Sequence, residues 1–217
     1  MSSLKAIAIV LSSALASMLF CCWLIVSAPY VPSEAETGGS ADALVVVSDK
    51  PAPSVPVYTQ TDERWGGIPY AGEDLATSGC GITCAAMAWE FLSGDEWTPV
   101  QMLNAVGNSN VQDGQNYMPG LCEWMRDQDA SIDYSVIYES RDRAIEDLEG
   151  GRLVFGEMQG ELVEGGRSYG GHIVLLTRRD ESGSITVHDP CVPYGESLSA
   201  ERFHAVDWGY FISIGRI

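Results

Sequence analysis

Gly79-Cys80-Gly81-Ile82-Thr83-Cys84-Ala85-Ala86-Met87-Ala88-Trp89-Glu90-Phe91-Leu92 reads as a helix with a cysteine in its first turn. Thr77 and Ser78 stand just before it and are natural N-cap residues. Cys80, Cys84, Met87, Ala88 and Phe91 fall on one helical stripe, the side that would face a core. Gly94 follows the last turn, where a left-handed residue can stop a helix. The unpaired N–H groups and the dipole at a helix start stabilise negative charge, so a cysteine placed there is set up to react as a thiolate. Gly79 and Gly81 carry no side chains, which would let another backbone come close. Cys84 lies one turn deeper on the same face and reads as ordinary core packing, the usual state of cysteine.

A cysteine nucleophile needs a base, and the second half of the chain offers one. Gly170-Gly171-His172-Ile173-Val174-Leu175-Leu176-Thr177 puts a histidine at the head of a strand that is apolar on both faces, hence central and covered. Asp180-Glu181-Ser182-Gly183 is a turn. The chain then returns as Ser184-Ile185-Thr186-Val187-His188-Asp189-Pro190. A hairpin about that turn brings His172 opposite roughly Asp189 to Cys191. A carboxylate beside the imidazole would fix its tautomer and stabilise its charged form. Pro190 cannot extend the ladder, so the strand should end at the aspartate. His188 is the rival base and would point to the opposite face. His204 lies near a short polar helix and is expected to be exposed. Gln60 is a fourth candidate, because a side-chain amide near the nucleophile can donate to an oxyanion together with the Cys80 N–H.

The remaining pattern is α+β, with helices first and an antiparallel sheet second. Thr98-Pro99-Val100-Gln101 starts a second helix with a cap, a proline and a capping-box glutamine, ending near Gly107. Segments 62–74 and 108–118 read as loops. A third helix is expected from about Pro119 to Asp127, and a short one from Arg141 to Leu148. Strands are expected at Ile132–Tyr138, Leu153–Met158, Ile173–Thr177, Ile185–His188 and Tyr210–Ile214.

At the other end, Ala6–Val26 is apolar after a single early charge, Lys5. Residues 1–28 therefore read as a signal peptide or N-terminal membrane anchor, with the domain facing outward. Cys21 and Cys22 are apolar filler in that run. Residues 29–54 are rich in Pro, Ser, Ala, Gly and Glu and form a disordered linker, with Ala43–Val47 a short apolar exception. The folded domain should span residues 55–217. A net charge of −18 argues against nucleic acid and anionic lipid as partners. The membrane is expected to be touched only through the N-terminal segment, and the domain to be secreted or held at the outer face.

Val57-Tyr58-Thr59-Gln60 with Asp62 and Trp65, then Gly79-Cys80-Gly81-Ile82-Thr83 and Met87, then Gly171-His172, then Asp189-Pro190, together resemble cysteine-peptidase family thirty-nine in its stand-alone form. These are relatives of the double-glycine leader peptidases. The resemblance runs from about Val55 to the C-terminus. It implies a papain-like fold and a peptide or protein substrate. It also implies Cys80 as nucleophile, His172 as base, Asp189 as the orienting residue and Gln60 as oxyanion donor. The position after Gly81, often proline in the stand-alone members, is Ile82. No transporter or nucleotide-binding segment follows, so leader cleavage coupled to export is not the expected role. A peptidoglycan amidase or endopeptidase of the same fold is the second reading, and a catalytically silent surface binding module the third. No cofactor is expected. Neither C-x-x-C nor H-E-x-x-H is present, which speaks against a metal site. One disulfide among Cys84, Cys122 and Cys191 is expected outside the cell, most readily with Cys122 or Cys191.

Overall fold

The computed structural model describes residues 54–217. The expected anchor or signal peptide and the tether, Ser54 apart, lie outside the described residues. So do Cys21, Cys22 and the Ala43–Val47 patch. Among the described residues no helix is long and apolar enough to cross a membrane.

The described chain is α+β, helices first. The expected loop at 62–74 contains a small hairpin, β1 (Pro69–Tyr70) and β2 (Glu73–Asp74). It leads into a single turn of helix, α1 (Leu75–Ser78), capped by Asp74, whose carboxylate accepts from Thr77 N at 2.9 Å. Thr77 and Ser78 are therefore helical residues of α1 and do not cap the next helix. That helix, α2 (Cys80–Ser93), starts from Gly79 with no side-chain cap. The junction demands glycine, because a Cβ on Gly79 would lie 2.4 Å from Leu75 O. Gly94, at φ 80°, ends α2 as expected.

The burial of α2 is broader than a stripe. Ile82, Ala85 and Ala86 are as fully buried as Cys84, Met87 and Ala88, whereas Phe91 is half-buried. The cause is that α2 packs against the sheet and also against α3 (Pro99–Val106) and α4 (Met118–Gln128). The capping box of α3 forms, with Thr98 N donating to Gln101 Oε1 at 2.9 Å and Gln101 N donating back to Thr98 Oγ1 at 3.4 Å. Between α3 and α4 the chain does more than loop. A 3₁₀ turn at Gly107–Asn110 precedes a hairpin of β3 (Val111–Gln112) and β4 (Gln115–Asn116). Asp113 and Gly114 make its two-residue turn, both at positive φ.

The main sheet comprises β5 (Ile132–Tyr138), β6 (Leu153–Glu161), β7 (Ser168–Arg179), β8 (Ile185–His188), β9 (Gly195–Leu198) and β10 (Asp207–Arg216). Their order is β5-β10-β6-β7-β8-β9, and every pairing is antiparallel. The strand that bears His172 is thus interior, as its two-sided apolarity implies. One face carries Phe155, Ile173, Leu175, Ile212 and Ile214 into the core shared with α2, α3 and α4. The other carries Val154, Val174, Leu176 and Phe211 into a second core with α5 (Arg141–Glu149) and α6 (Ala200–Ala205). Strand β9, Gly-Glu-Ser-Leu, lacks the apolar alternation by which a strand is recognised and was not expected.

Candidate active site

Cys80 occupies the first position of α2 and lines a cleft of about 400 Å³ together with His172. The hairpin of β3 and β4 forms part of the cleft wall. Its Asn116 donates from Nδ2 to Ser78 O at 2.9 Å and to Cys80 Sγ at 3.5 Å, while Tyr70 OH holds Asn116 Oδ1 at 2.8 Å. Gly81 is glycine for this contact, since a Cβ there would sit 2.6 Å from Asn116. The glycines around Cys80 thus serve close packing by the protein's own residues, not the open approach expected of them.

His172 is 5% exposed and Asp189 2% exposed. His172 Nε2 meets Asp189 Oδ1 at 2.8 Å. With Nε2 so committed, Nδ1 is the nitrogen left for a thiol. Asp189 is held from three sides: Cys191 N donates to Oδ1 at 2.8 Å, Tyr169 OH donates to Oδ2 at 2.6 Å, and His172 supplies the third contact. The Tyr169 ring also stacks on His172, with centroids 4.0 Å apart and planes 7° from parallel. Burial works against a charge on His172, but hydrogen bonding to Asp189, then to Cys191 and Cys80, outweighs it and raises the pKa to about 11. Burial likewise opposes the Asp189 charge, and the contacts with His172 and Tyr169 hold its pKa below the usual carboxylate range. Burial and the bond to Asp189 push the Tyr169 hydroxyl upward, so it stays a donor.

The hairpin brings His172 and Asp189 together as the sequence pattern implies, and β8 ends at His188, just before Asp189. His188 pairs with Leu175, and its Nδ1 lies 3.0 Å from Pro56 O, with no contact to Asp189 or Cys80 among its hydrogen bonds. Burial lowers its pKa despite that bond. His204 is exposed, as expected. Gln60 is buried, with Nε2 donating to Ala76 O at 2.7 Å and its backbone N donating to Pro190 O at 2.8 Å. It ties α1 to the Asp189 turn and is not among the residues lining the cleft.

The expected disulfide is not formed, since all four cysteines among the described residues are free. Cys84 donates to Ile173 O at 3.4 Å inside the core, and burial raises the pKa of both Cys84 and Cys122. Cys84 is thus the packed residue its position implied. Cys191 has a different setting. Its sulfur, a His172 ring nitrogen and an Asp189 oxygen lie within 4.8 Å of one another, a mixed donor group that could hold a metal ion. Its members come from two segments, so no local sequence motif marks it. Use of His172 as a base and as a metal ligand would exclude each other.

Asn116 and Tyr169 are neighbours of the site that the sequence pattern does not single out, and Cys191, expected opposite His172 and in a disulfide, is instead a free thiol beside it. Asp113-Gly114 is a recognisable two-residue turn and could have exposed the hairpin that carries Asn116. Nothing local marks Tyr169, whose contacts with Asp189 and His172 depend on the fold.

A cysteine at a helix start, a histidine heading a strand and a carboxylate fixed on that histidine form the arrangement of a cysteine-nucleophile site. The profile of the Peptidase C39-like family matches residues 53–212, and the chain belongs to that family. Twelve solved chains are similar to this one in structure. One is a crystal structure assigned to a C39-like peptidase from Bacillus anthracis, with 17% identity and a TM-score of 0.52 over 76% of this chain and 96% of that one. No curated protein matches.

Proposed function

We propose that the chain is an exported cysteine peptidase with a papain-like arrangement, using Cys80, His172 and Asp189 as its triad. The observation that carries this reading is the buried His172–Asp189 pair beside Cys80 at one cleft. His172 holds the proton drawn from Cys80 as an imidazolium, and the thiolate attacks the scissile carbonyl carbon. The Cys80 N–H, which has no helical partner at the first position, receives the developing oxyanion. Asn116 Nδ2, on the cleft wall and 3.5 Å from Cys80 Sγ, is a second donor. Gln60 keeps a second amide hydrogen beyond the one given to Ala76 and supports the same backbone. His172 then protonates the leaving amine, which departs as the C–N bond breaks. Water, deprotonated by His172, cleaves the resulting thioester and restores the thiol. Asp189 keeps the imidazole oriented throughout. Residues 1–28 deliver the domain across the membrane or hold it at the outer face.

The purified full chain should be treated with iodoacetamide, and separately incubated with a peptide library and with peptidoglycan fragments, all read by mass spectrometry. Cys80 should be alkylated first, and peptide bonds should be cut. Cys80→Ala should lose both activities, while Cys84→Ala keeps both. Cleavage that persists in Cys80→Ala would overturn the reading. Cleavage confined to peptidoglycan would move it to a cell-wall hydrolase with the same chemistry.

A further inference from the structure

Glu157 lies on β6, two residues beyond Phe155 on the same face, and lines the cleft that holds Cys80. It pairs across the sheet with Ile173 on one side and Tyr210 on the other. The neighbouring strand is built around its carboxylate. β10 shifts register between Trp208 and Tyr210, and the extra residue is Gly209. A Cβ on Gly209 would fall 2.0 Å from Glu157 Oε2, so the carboxylate occupies space that any other residue would fill. On the opposite side Gly170 and Gly171 leave the cleft open.

No arginine among the described residues forms an ion pair with Glu157. The charge of His172 is already matched by Asp189. Half-buried and beside Asp207, the Glu157 carboxyl has its pKa raised, first by burial and then by that neighbouring charge. A carboxylate so placed is costly until a cation meets it. The rest of the wall offers neutral amides, Gln115, Asn116 and Gln159.

We infer that Glu157 makes this end of the cleft a subsite for a cationic group of the substrate, such as the ammonium of a lysine side chain. The inference rests on the peptidase reading and adds a substrate class to it. The net charge of −18 would draw such substrates toward the domain. Residues 54–217 contain no lysine, so a lysine-directed enzyme of this sequence would not find its own target within its fold.

Two measurements test the subsite, and the first needs no turnover. Cys80 in the full chain is treated with a cationic methanethiosulfonate (aminoethyl) and with an anionic one (sulfonatoethyl), with modification followed by intact mass. The wild type should react faster with the cationic reagent, and Glu157→Gln should reduce that ratio by about threefold or more, the scale of one half-screened charge contact. Asp207→Asn serves as the control for general surface charge and should change the ratio less. Equal ratios in wild type and Glu157→Gln would overturn the inference while leaving the nucleophile intact. The second measurement uses N-acetylated peptides carrying lysine, arginine or norleucine, alongside uncapped norleucine peptides. Wild type should favour lysine or arginine over capped norleucine by at least about tenfold in kcat/KM, the effect of 1.4 kcal/mol. Glu157→Gln should erase that preference. If only the uncapped peptides gain, the cation recognised is the amino terminus. If capped and uncapped norleucine peptides are cut as well as lysine peptides, the subsite does not exist. Absence of all cleavage, with the reagent ratio still dependent on Glu157, would count against the peptidase reading and not against the subsite.

Discussion

The two sides of the cleft are held in different ways. On the sheet side, His172 and Asp189 are almost sealed, and each is fixed by several short contacts from β7 and the turn after β8. On the helix side, Cys80 has no side-chain cap behind it, and its polar neighbour comes from a four-residue hairpin pairing, β3 with β4. The proposed base is over-determined by a central strand, whereas the proposed nucleophile depends on close approaches that only glycine permits. Substitutions on the sheet side should therefore remove chemistry from a fold that persists. Substitutions on the helix side should change how well the thiol and the substrate are placed.

The largest effect belongs to the sheet side. His172→Ala should lower kcat/KM by roughly a thousandfold or more, because it removes the group proposed to carry the proton. The same variant tests the charge state of the pair. A folded pKa of about 11 for His172 lies above its ordinary value near 6.5, so its protonation contributes stability that is complete below about pH 6.5 and is lost as pH rises through about 11. Urea midpoints should thus decline from pH 7 to pH 9 in the wild type, below the range where tyrosines titrate, and the decline should be smaller in His172→Ala. Identical slopes would mean that the imidazole is not held charged. If His188→Ala costs more activity than His172→Ala, the assignment has the wrong face of the sheet.

Asp189→Ala should come next, with a loss of roughly ten- to a hundredfold, the scale of one hydrogen bond to a charged group. The imidazole would still be stacked by Tyr169 and could reach Cys80 part of the time. A loss equal to that of His172→Ala would show that orientation and proton transfer cannot be separated here.

The same contrast explains what could be read from the chain alone. Cys80 announces itself by position, between glycines at the start of an apolar helical run. His172 announces itself by heading a strand with no polar face, and Asp189 by the proline that ends its strand. Each of these is a local signal that the tertiary structure only had to bring together. Thr77 and Ser78 look like caps of α2 but belong to α1, a turn too short to show periodicity in the sequence. Asn116 reads as loop from sequence because β3 and β4 have two residues each, too few to show an alternation. The missing disulfide has a similar origin: a cysteine count carries no distances, and burial of Cys84 and Cys122 in the core is a tertiary fact.

On the helix side, Asn116→Ala should reduce kcat/KM by about tenfold, within the lower range for loss of an oxyanion or positioning donor. The contact with Ser78 O and that with Cys80 Sγ would vanish together. If Asn116 only supports the backbone, Asn116→Asp should restore little and melting temperature should drop in both variants. If it meets the oxyanion, kcat should fall more than KM rises, and stability should stay near wild type.

The smallest effect should come from Tyr169→Phe, and it is the one that separates the two ways in which Tyr169 holds the pair. Phenylalanine keeps the ring that stacks on His172 at 4.0 Å and removes only the hydroxyl that donates to Asp189 at 2.6 Å. Asp189 would retain donors from His172 and from Cys191 N. One of three contacts is lost, so activity should fall only about fivefold, close to one ordinary hydrogen bond of 1 kcal/mol. The hydroxyl also helps to keep Asp189 ionised, so its removal should move the acidic limb of the pH–rate profile toward higher pH. Tyr169→Ala removes ring and hydroxyl together, and any further loss beyond Tyr169→Phe measures the stack. If Tyr169→Phe leaves both rate and acidic limb unchanged, the contacts from His172 and Cys191 suffice for Asp189, and the sheet side is held even more redundantly than its geometry indicates.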